Sequence, residues 1–392
     1  MIVMKRLSLI ACIAMAVACC SGGSDSKSST EQIDLKQRNE VLLSTGMIYY
    51  GHDQDEEAFY DMYYAFVADD REMTKASEKA LENFKAKVAA LSDEDRVFLK
   101  GVFSDYADLA DLANYAYKDS DVKLPKGWVD LGAKDANLTA IIDKYSVSGM
   151  LPSGLKCSLL AKGDRQALVF AGTDFPANWK SLKQVMDFIV DAYEDVDGAM
   201  NDEATQSMLA CRLVDELIDK GYVNVDNLEF AGHSLGGRLA SEMAVQYGCP
   251  AVIFNAAGVS PAMYENYEKA KPSADEGGRC YIVDVTAAND PLTCCQKYMS
   301  GESDPFVSTA ADALSVDKGT MDHILSFAGA VVGNFAGESE KGLPDSFVEL
   351  LNKYYERDYR ALGAKMPIRE DMAGHGIKEL AAALRVRAEL CE

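Results

Sequence analysis

The chain has 392 residues, 48% of them hydrophobic, enough for a large core in one large domain with helical additions. A formal net charge of −23 argues against nucleic acid as a partner, because the phosphate backbone would be repelled, and against docking on anionic lipid through a basic patch. The acidity reads as a solvated surface.

Residues 1–19 read as an export signal. Met4-Lys5-Arg6 is a short basic start, and residues 7–20 are a mostly apolar run, too short to span a bilayer comfortably. The run ends Ala16-Val17-Ala18-Cys19-Cys20. This is similar to a bacterial lipoprotein signal, in which a cysteine after small residues becomes the lipidated N-terminus. Cys19, preceded by Ala18, fits that role better than Cys20; an ordinary cleaved signal peptide is the alternative. Either way the mature chain leaves the cytoplasm, and the expected location is the bacterial cell envelope, lipid-anchored, with a periplasmic or secreted form as the alternative. Residues 20–30, rich in Ser and Gly, read as a flexible tether.

Three of the ten cysteines, Cys12, Cys19 and Cys20, lie in the signal or directly after it, leaving seven, some of which should pair in an oxidising compartment. There is no C-x-x-C and there are only four histidines, so no zinc site is expected. No cofactor is expected.

Residues 31–120 form a helical region. Leu81, Phe84, Val88 and Leu91 recur at helical spacing, and Ser92 to Asp95 is a capping box that opens a second helix reaching Leu109 and Tyr117. From 121 to 392 strands alternate with helices. Residues 154–161 and 166–171 read as two strands joined by a turn at Gly163-Asp164. Residues 181–196 and 204–220 read as helices. Residues 251–255 and 279–286 read as further short strands, 361–369 as a last strand, and 377–390 as a last helix. Such alternation predicts an α/β fold with a mostly parallel sheet covered by helices, and catalytic groups on loops at the carboxyl ends of its strands. The stretch from Pro291 to about Tyr359 reads as a helical packing insertion, with a lid as the alternative.

The most specific signal is Gly232-His233-Ser234-Leu235-Gly236-Gly237, between the apolar run 228–231 and the helical run 238–247. This is a nucleophile elbow: a serine on a tight strand-to-helix turn, its hydroxyl pushed out of the sheet beside a helix N-terminus. Such a serine needs a histidine base held by an acid, in the chain order Ser, acid, His. His52 precedes the sheet, and His233 is set aside because its ring should point away from the nucleophile. His375, flanked by Gly374 and Gly376 between the last strand and last helix, is favoured over His323, which falls in a helical stretch. For the acid, Asp290 just past the strand end is favoured over Asp284 within it. The oxyanion donors expected are the N–H of Leu235 and Thr173, which follows Gly172 at the end of an earlier strand.

Together these pieces resemble the class 3 lipases, the fungal-lipase-like branch of the α/β-hydrolase superfamily. Residues 110–117 look like that family's opening helix, residues 168–173 like its strand ending in Gly-Thr or Gly-Ser, and residues 232–237 match its Gly-His-Ser-Leu-Gly-Gly elbow in full. Asn255-Ala256-Ala257-Gly258 and Asn289-Asp290-Pro291 are similar to its following segments. Ala171 stands where many members carry Arg. The resemblance implies the α/β-hydrolase fold, a triad of Ser234, Asp290 and His375 with Thr173 and Leu235 at the oxyanion hole, and no metal. The expected function is a lipid-anchored serine hydrolase that cleaves carboxylic esters, with acyl lipids or small esters as substrate. The alternatives are a non-catalytic surface lipoprotein on a hydrolase scaffold, and an acyltransferase.

Overall fold

A computed structural model describes residues 35–50, 61, 64–65, 68–118, 122–148, 151–152, 155–172, 206–259, 261–270, 281–290, 292–293 and 360–392. The signal and tether, the helix expected over 181–196, and almost all of the insertion expected after Pro291 lie outside these residues. So do Thr173, Cys19 and His323.

The N-terminal part is helical, with α1 (Leu35–Ser44), α2 (Asp70–Ala89) and α3 (Asp93–Tyr115). Each of the two longer helices starts where its cap dictates. Asp69 accepts from the N–H groups of Arg71 and Glu72, and Ser92 accepts from Asp95, so two of the otherwise orphaned first-turn donors are satisfied in α2 and one in α3. The expected capping box at Ser92 is therefore where α3 opens.

Then follow β1 (Val129–Asp130), α4 (Ala136–Tyr145), a small hairpin of β2 (Val147–Ser148) and β3 (Leu151–Pro152), β4 (Cys157–Lys162) and β5 (Arg165–Phe170). The remainder is α5 (Gln206–Asp219), β6 (Leu228–His233), α6 (Leu235–Tyr247), β7 (Ala251–Phe254), α7 (Pro261–Ala270), β8 (Ile282–Ala287), β9 (Ala364–Ile368) and α8 (Ile377–Leu390). Seven strands form one sheet in the order β1-β4-β5-β6-β7-β8-β9. Pairing is antiparallel from β1 through β5 and parallel from β5 through β9. This is the α/β-hydrolase type of sheet expected, mostly parallel with an antiparallel edge.

Strand alternation sends neighbouring residues to opposite faces. Ala167 and Val169 of β5 join Ala231, Val252, Phe254, Val283, Val285 and Met366 in a core covered by α1, α2, α3 and α8. Leu168 and Phe170 join Phe230 and Ile253 in the opposite core, under α4, α5 and α6. The N-terminal helices thus share a core with the sheet. Arg165 at the start of β5 ties α3 to the sheet, contacting Asp105 and Glu229 at 2.8 Å each while its guanidinium lies 5.4 Å from the Trp128 ring centre. Among the described cysteines, Cys157 and Cys391 are free thiols, and burial pushes the Cys157 thiol up to about 12.

The last strand carries a charge into the sheet. Lys365 on β9 donates to Asp284 on β8 at 2.6 Å and to the carbonyl of Ala361 at 2.9 Å, with both side chains buried. Asp284, the less favoured acid of the sequence reading, is therefore committed to this lysine; burial pushes its carboxyl up and Lys365 pulls it back. The same stretch is joined by Tyr49, whose backbone exchanges hydrogen bonds with Lys365 and covers the edge of β9. Breaking a buried pair from one side leaves an uncompensated charge. Lys365→Met should destabilise the fold by about 3–5 kcal/mol in urea unfolding. Adding Asp284→Asn should recover much of that loss, whereas a single variant as stable as the parent would show that the pair is not needed.

Candidate active site

β6 runs straight into α6, and Ser234 is the one residue between them. Its backbone is at φ 57°, ψ −127°, a conformation that a residue with a Cβ rarely takes. The turn is held from both sides: the Ser234 N–H donates to Phe254 O at 3.0 Å, and its carbonyl accepts from Gly237 and Ala257, each at 3.0 Å. Space explains the second half of the elbow motif. A Cβ on Gly236 would lie 2.2 Å from the carbonyl oxygen of Phe170, so only glycine lets α6 begin this close to β5. Leu235 is the first residue of α6 and its N–H has no intrahelical partner, which leaves it at the helix N-terminus next to the serine.

The end of β5 closes the other side. A Cβ on Gly172 would lie 2.9 Å from Ser234 Cβ and 2.7 Å from His233 O, so the strand-end loop lies directly against the elbow. The Gly172 N–H is taken by the hydroxyl of Tyr117 at 3.0 Å. The next residue, Thr173, is outside the described residues.

His375 and Asp290 come together across a separation of 85 residues. Nδ1 of His375 lies 2.7 Å from Oδ1 of Asp290. The carboxylate is fully buried, and its other oxygen accepts from the Thr293 N–H at 2.9 Å and the Thr293 hydroxyl at 2.5 Å. A carboxylate only accepts, so the His375 proton sits on Nδ1 and Nε2 is left as the basic atom. That is the tautomer a general base for a serine requires. Leu292 and Thr293 are helical, and the Asp290 side chain accepts from the Thr293 N–H as a cap does, so one aspartate serves as cap and as partner of the imidazole.

Sequence reasoning set aside His233 as the base, and in the structure both of its ring nitrogens are engaged by other groups. Its ring lies 4.7 Å from that of His375 and donates from Nε2 to the His375 carbonyl at 2.7 Å. Its Nδ1 then accepts from Tyr117, whose hydroxyl is 2.8 Å away. Burial, joined by the neighbouring His375, holds the His233 pKa well below the ordinary 6.5, and the ring stays neutral. The tautomer is thus fixed at both nitrogens. The residue before the elbow serine accordingly touches the backbone of His375, and Tyr117 links α3's end to Gly172 and to His233. The signal for Tyr117 was present only as part of the family's opening helix; nothing in its local sequence marks it as a site residue.

Comparison with known proteins gives three findings. A family model described as "Phospholipase-like: Tle-like phospholipase domain" matches residues 108–348. The extracellular phospholipase A1 of Serratia liquefaciens is 32% identical over 153 residues, which are 38% of this chain and 42% of that protein, so the match spans less than half of the relative's length. Among solved structures, the Lip2 lipase of Yarrowia lipolytica is found at 16% identity and a TM-score of 0.32, covering 49% of this chain and 73% of that one. The family match takes in α3's end, the elbow and the Asp290 loop, and with it the chain is a lipase-like α/β-hydrolase belonging to the Tle-like phospholipase domain family.

Proposed function

We propose that the chain is a secreted serine hydrolase that cleaves carboxylic esters of acyl lipids through Ser234, His375 and Asp290. The observation that carries this reading is the pairing of the Asp290 carboxylate with His375 Nδ1 at 2.7 Å, on a loop held against the residue that precedes Ser234. The family supports a lipid ester as substrate. The Serratia relative is a phospholipase A1 by name, which favours an acyl ester of a phospholipid.

In this mechanism His375 Nε2 takes the Ser234 hydroxyl proton as Oγ attacks the acyl carbon. Negative charge develops on the former carbonyl oxygen, where the Leu235 N–H at the start of α6 and Thr173 stabilise it. Asp290 holds the imidazole and offsets its positive charge while it carries the proton. The imidazolium then gives that proton to the departing alcohol, leaving an acyl-Ser234 ester. A water, deprotonated by the same Nε2, attacks that ester; the acyl–Oγ bond breaks, the proton on Nε2 passes to Ser234 Oγ, and the fatty acid is released. The interaction of charge with dipole is strongest in the transition state, which is where catalysis needs it.

Ser234→Ala should lose about three orders of magnitude or more in turnover on p-nitrophenyl and phospholipid esters while staying folded, and should no longer react with a fluorophosphonate probe. His375→Ala should be similarly impaired and His323→Ala should not. Near-normal hydrolysis by Ser234→Ala would sink the proposal, and loss of activity only in His323→Ala would move the base to His323. Product analysis with an added alcohol separates hydrolysis from acyl transfer.

The location forms part of the same proposal. Residues 1–19 act as a lipoprotein signal, Cys19 carries the lipid, and residues 20–30 tether the enzyme to the cell envelope. Among the described residues no helix is long and apolar enough to cross a membrane. Two or three acyl chains on one cysteine suffice for stable anchoring, since one chain alone binds only marginally. Mass spectrometry of the mature N-terminus should find an acylated Cys19. An unmodified N-terminus at Ser21 or beyond would replace the anchor with a plain secreted form.

A further inference from the structure

The loop that carries His375 has no regular secondary structure, yet its backbone polar groups are bonded one after another to side chains. The Gly374 N–H donates to Asn289 Oδ1 at 2.7 Å, and the Gly374 carbonyl accepts from Asn255 Nδ2 at 2.9 Å. The His375 carbonyl accepts from His233 Nε2 at 2.7 Å. Asn289 Nδ2 also donates to Met372 O at 3.2 Å. His233 ends β6, Asn255 directly follows β7, and Asn289 lies two residues past β8. Three consecutive parallel strands therefore each send one side chain to the backbone of the same two residues, Gly374 and His375.

These side chains are themselves fixed. Asn255 is fully buried at φ 43°, and its Oδ1 receives the Ala287 N–H at 2.9 Å, which turns its amide nitrogen toward Gly374. Asn289 uses its oxygen on one backbone group and its nitrogen on another, so its amide also has one orientation. His233 is held neutral with its Nε2 proton facing the loop, as described above. A backbone group buried near a site must be bonded, and here side chains do what a strand or helix would otherwise do.

We propose that His233, Asn255 and Asn289 are positioning residues: a three-point cradle that sets the place of the His375 imidazole relative to Ser234. The proposal rests on the triad reading above. An error of about 1 Å in the placement of a reacting group costs roughly a hundredfold in rate, so a backbone clamp of this kind acts on kcat and little on KM.

Asn289 is half-buried and lends itself to graded change. Asn289→Asp keeps the acceptor for the Gly374 N–H, the bond nearest His375, but turns the donor to Met372 O and Met73 Sδ into a carboxylate oxygen that repels the Met372 carbonyl; Asn289→Ala loses all of these bonds. Asn255→Asp replaces the donor to the Gly374 carbonyl with a carboxylate oxygen that repels it. On the full mature chain, with a p-nitrophenyl ester as substrate, Asn255→Asp and Asn289→Ala should lower kcat by about ten- to a hundredfold with KM within about twofold. Asn289→Asp should retain much more activity than Asn289→Ala. The rate at which a fluorophosphonate labels Ser234 should fall in step with kcat in variants whose circular dichroism matches the parent. A purely structural role would lower the melting temperature without this split between kcat and KM.

If Asn255→Asp does not fold, the two Asn289 variants decide alone. Parental kcat and labelling rate in folded Asn289→Ala, with Ser234→Ala and His375→Ala inactive, overturn the cradle and leave the triad standing. Undiminished activity in Ser234→Ala overturns both.

Discussion

The backbone of Ser234 is the constraint on which the rest of the site depends. A non-glycine residue at φ 57° costs of order 1–3 kcal/mol and persists only where the surroundings over-determine it. Here they do, through hydrogen bonds to both sides of the residue and through the absence of a Cβ on Gly236, which lets α6 start against the end of β5. Once that turn is set, Leu235 must open the helix with its N–H unclaimed, and His233 must end the strand with its ring toward the neighbouring loop. The placement of the hydroxyl, of the Leu235 N–H proposed as an oxyanion donor, and of the first contact to His375 all follow from one strained residue.

Parallel pairing from β5 to β9 supplies the rest, because every strand in that run ends at the same edge. Gly172, His233, Asn255, Asn289 and Asp290 all occur within three residues of a strand end. Burial then makes their few polar interactions strong. Asp290 is fully buried and has a partner on both oxygens, so its charge is aimed at the His375 Nδ1 proton and not dispersed into water. His233, also buried, is neutral for the same reason, and it acts as a two-ended hydrogen-bonding strut. On the opposite side of β8, the Lys365–Asp284 pair takes the alternative aspartate out of consideration and places it in the sheet's internal stability.

Much of this was legible in the sequence because it depends on local pattern. The elbow, the Ser92 cap, the β4–β5 hairpin with its turn at Gly163-Asp164, and the last strand and last helix are each marked by residues close in sequence. The choice of His375 and Asp290 rested on chain order and on their placement between elements, and both sit at strand-end loops in the structure. Less legible were β1 and the small β2–β3 hairpin, which are two-residue strands with no periodicity to read. The cradle could not be read at all. Asn255 and Asn289 look like ordinary loop residues, and their partners lie 119 and 85 positions away. What His233 does touch was hidden for a related reason. Its neighbour in sequence is the serine, but its partners, Tyr117 and His375, are set by the register of the sheet and by α3.

The most direct test of the account is a crystal structure of the full mature chain after reaction with a long-chain alkyl phosphonate. The account predicts phosphorus bonded to Ser234 Oγ, a phosphonyl oxygen about 2.7–3.1 Å from the Leu235 nitrogen, and the His375 ring still bonded to Asp290 while its Nε2 faces the phosphonyl group. Phosphorus on any other residue, or a phosphonyl oxygen turned away from the start of α6, would contradict it.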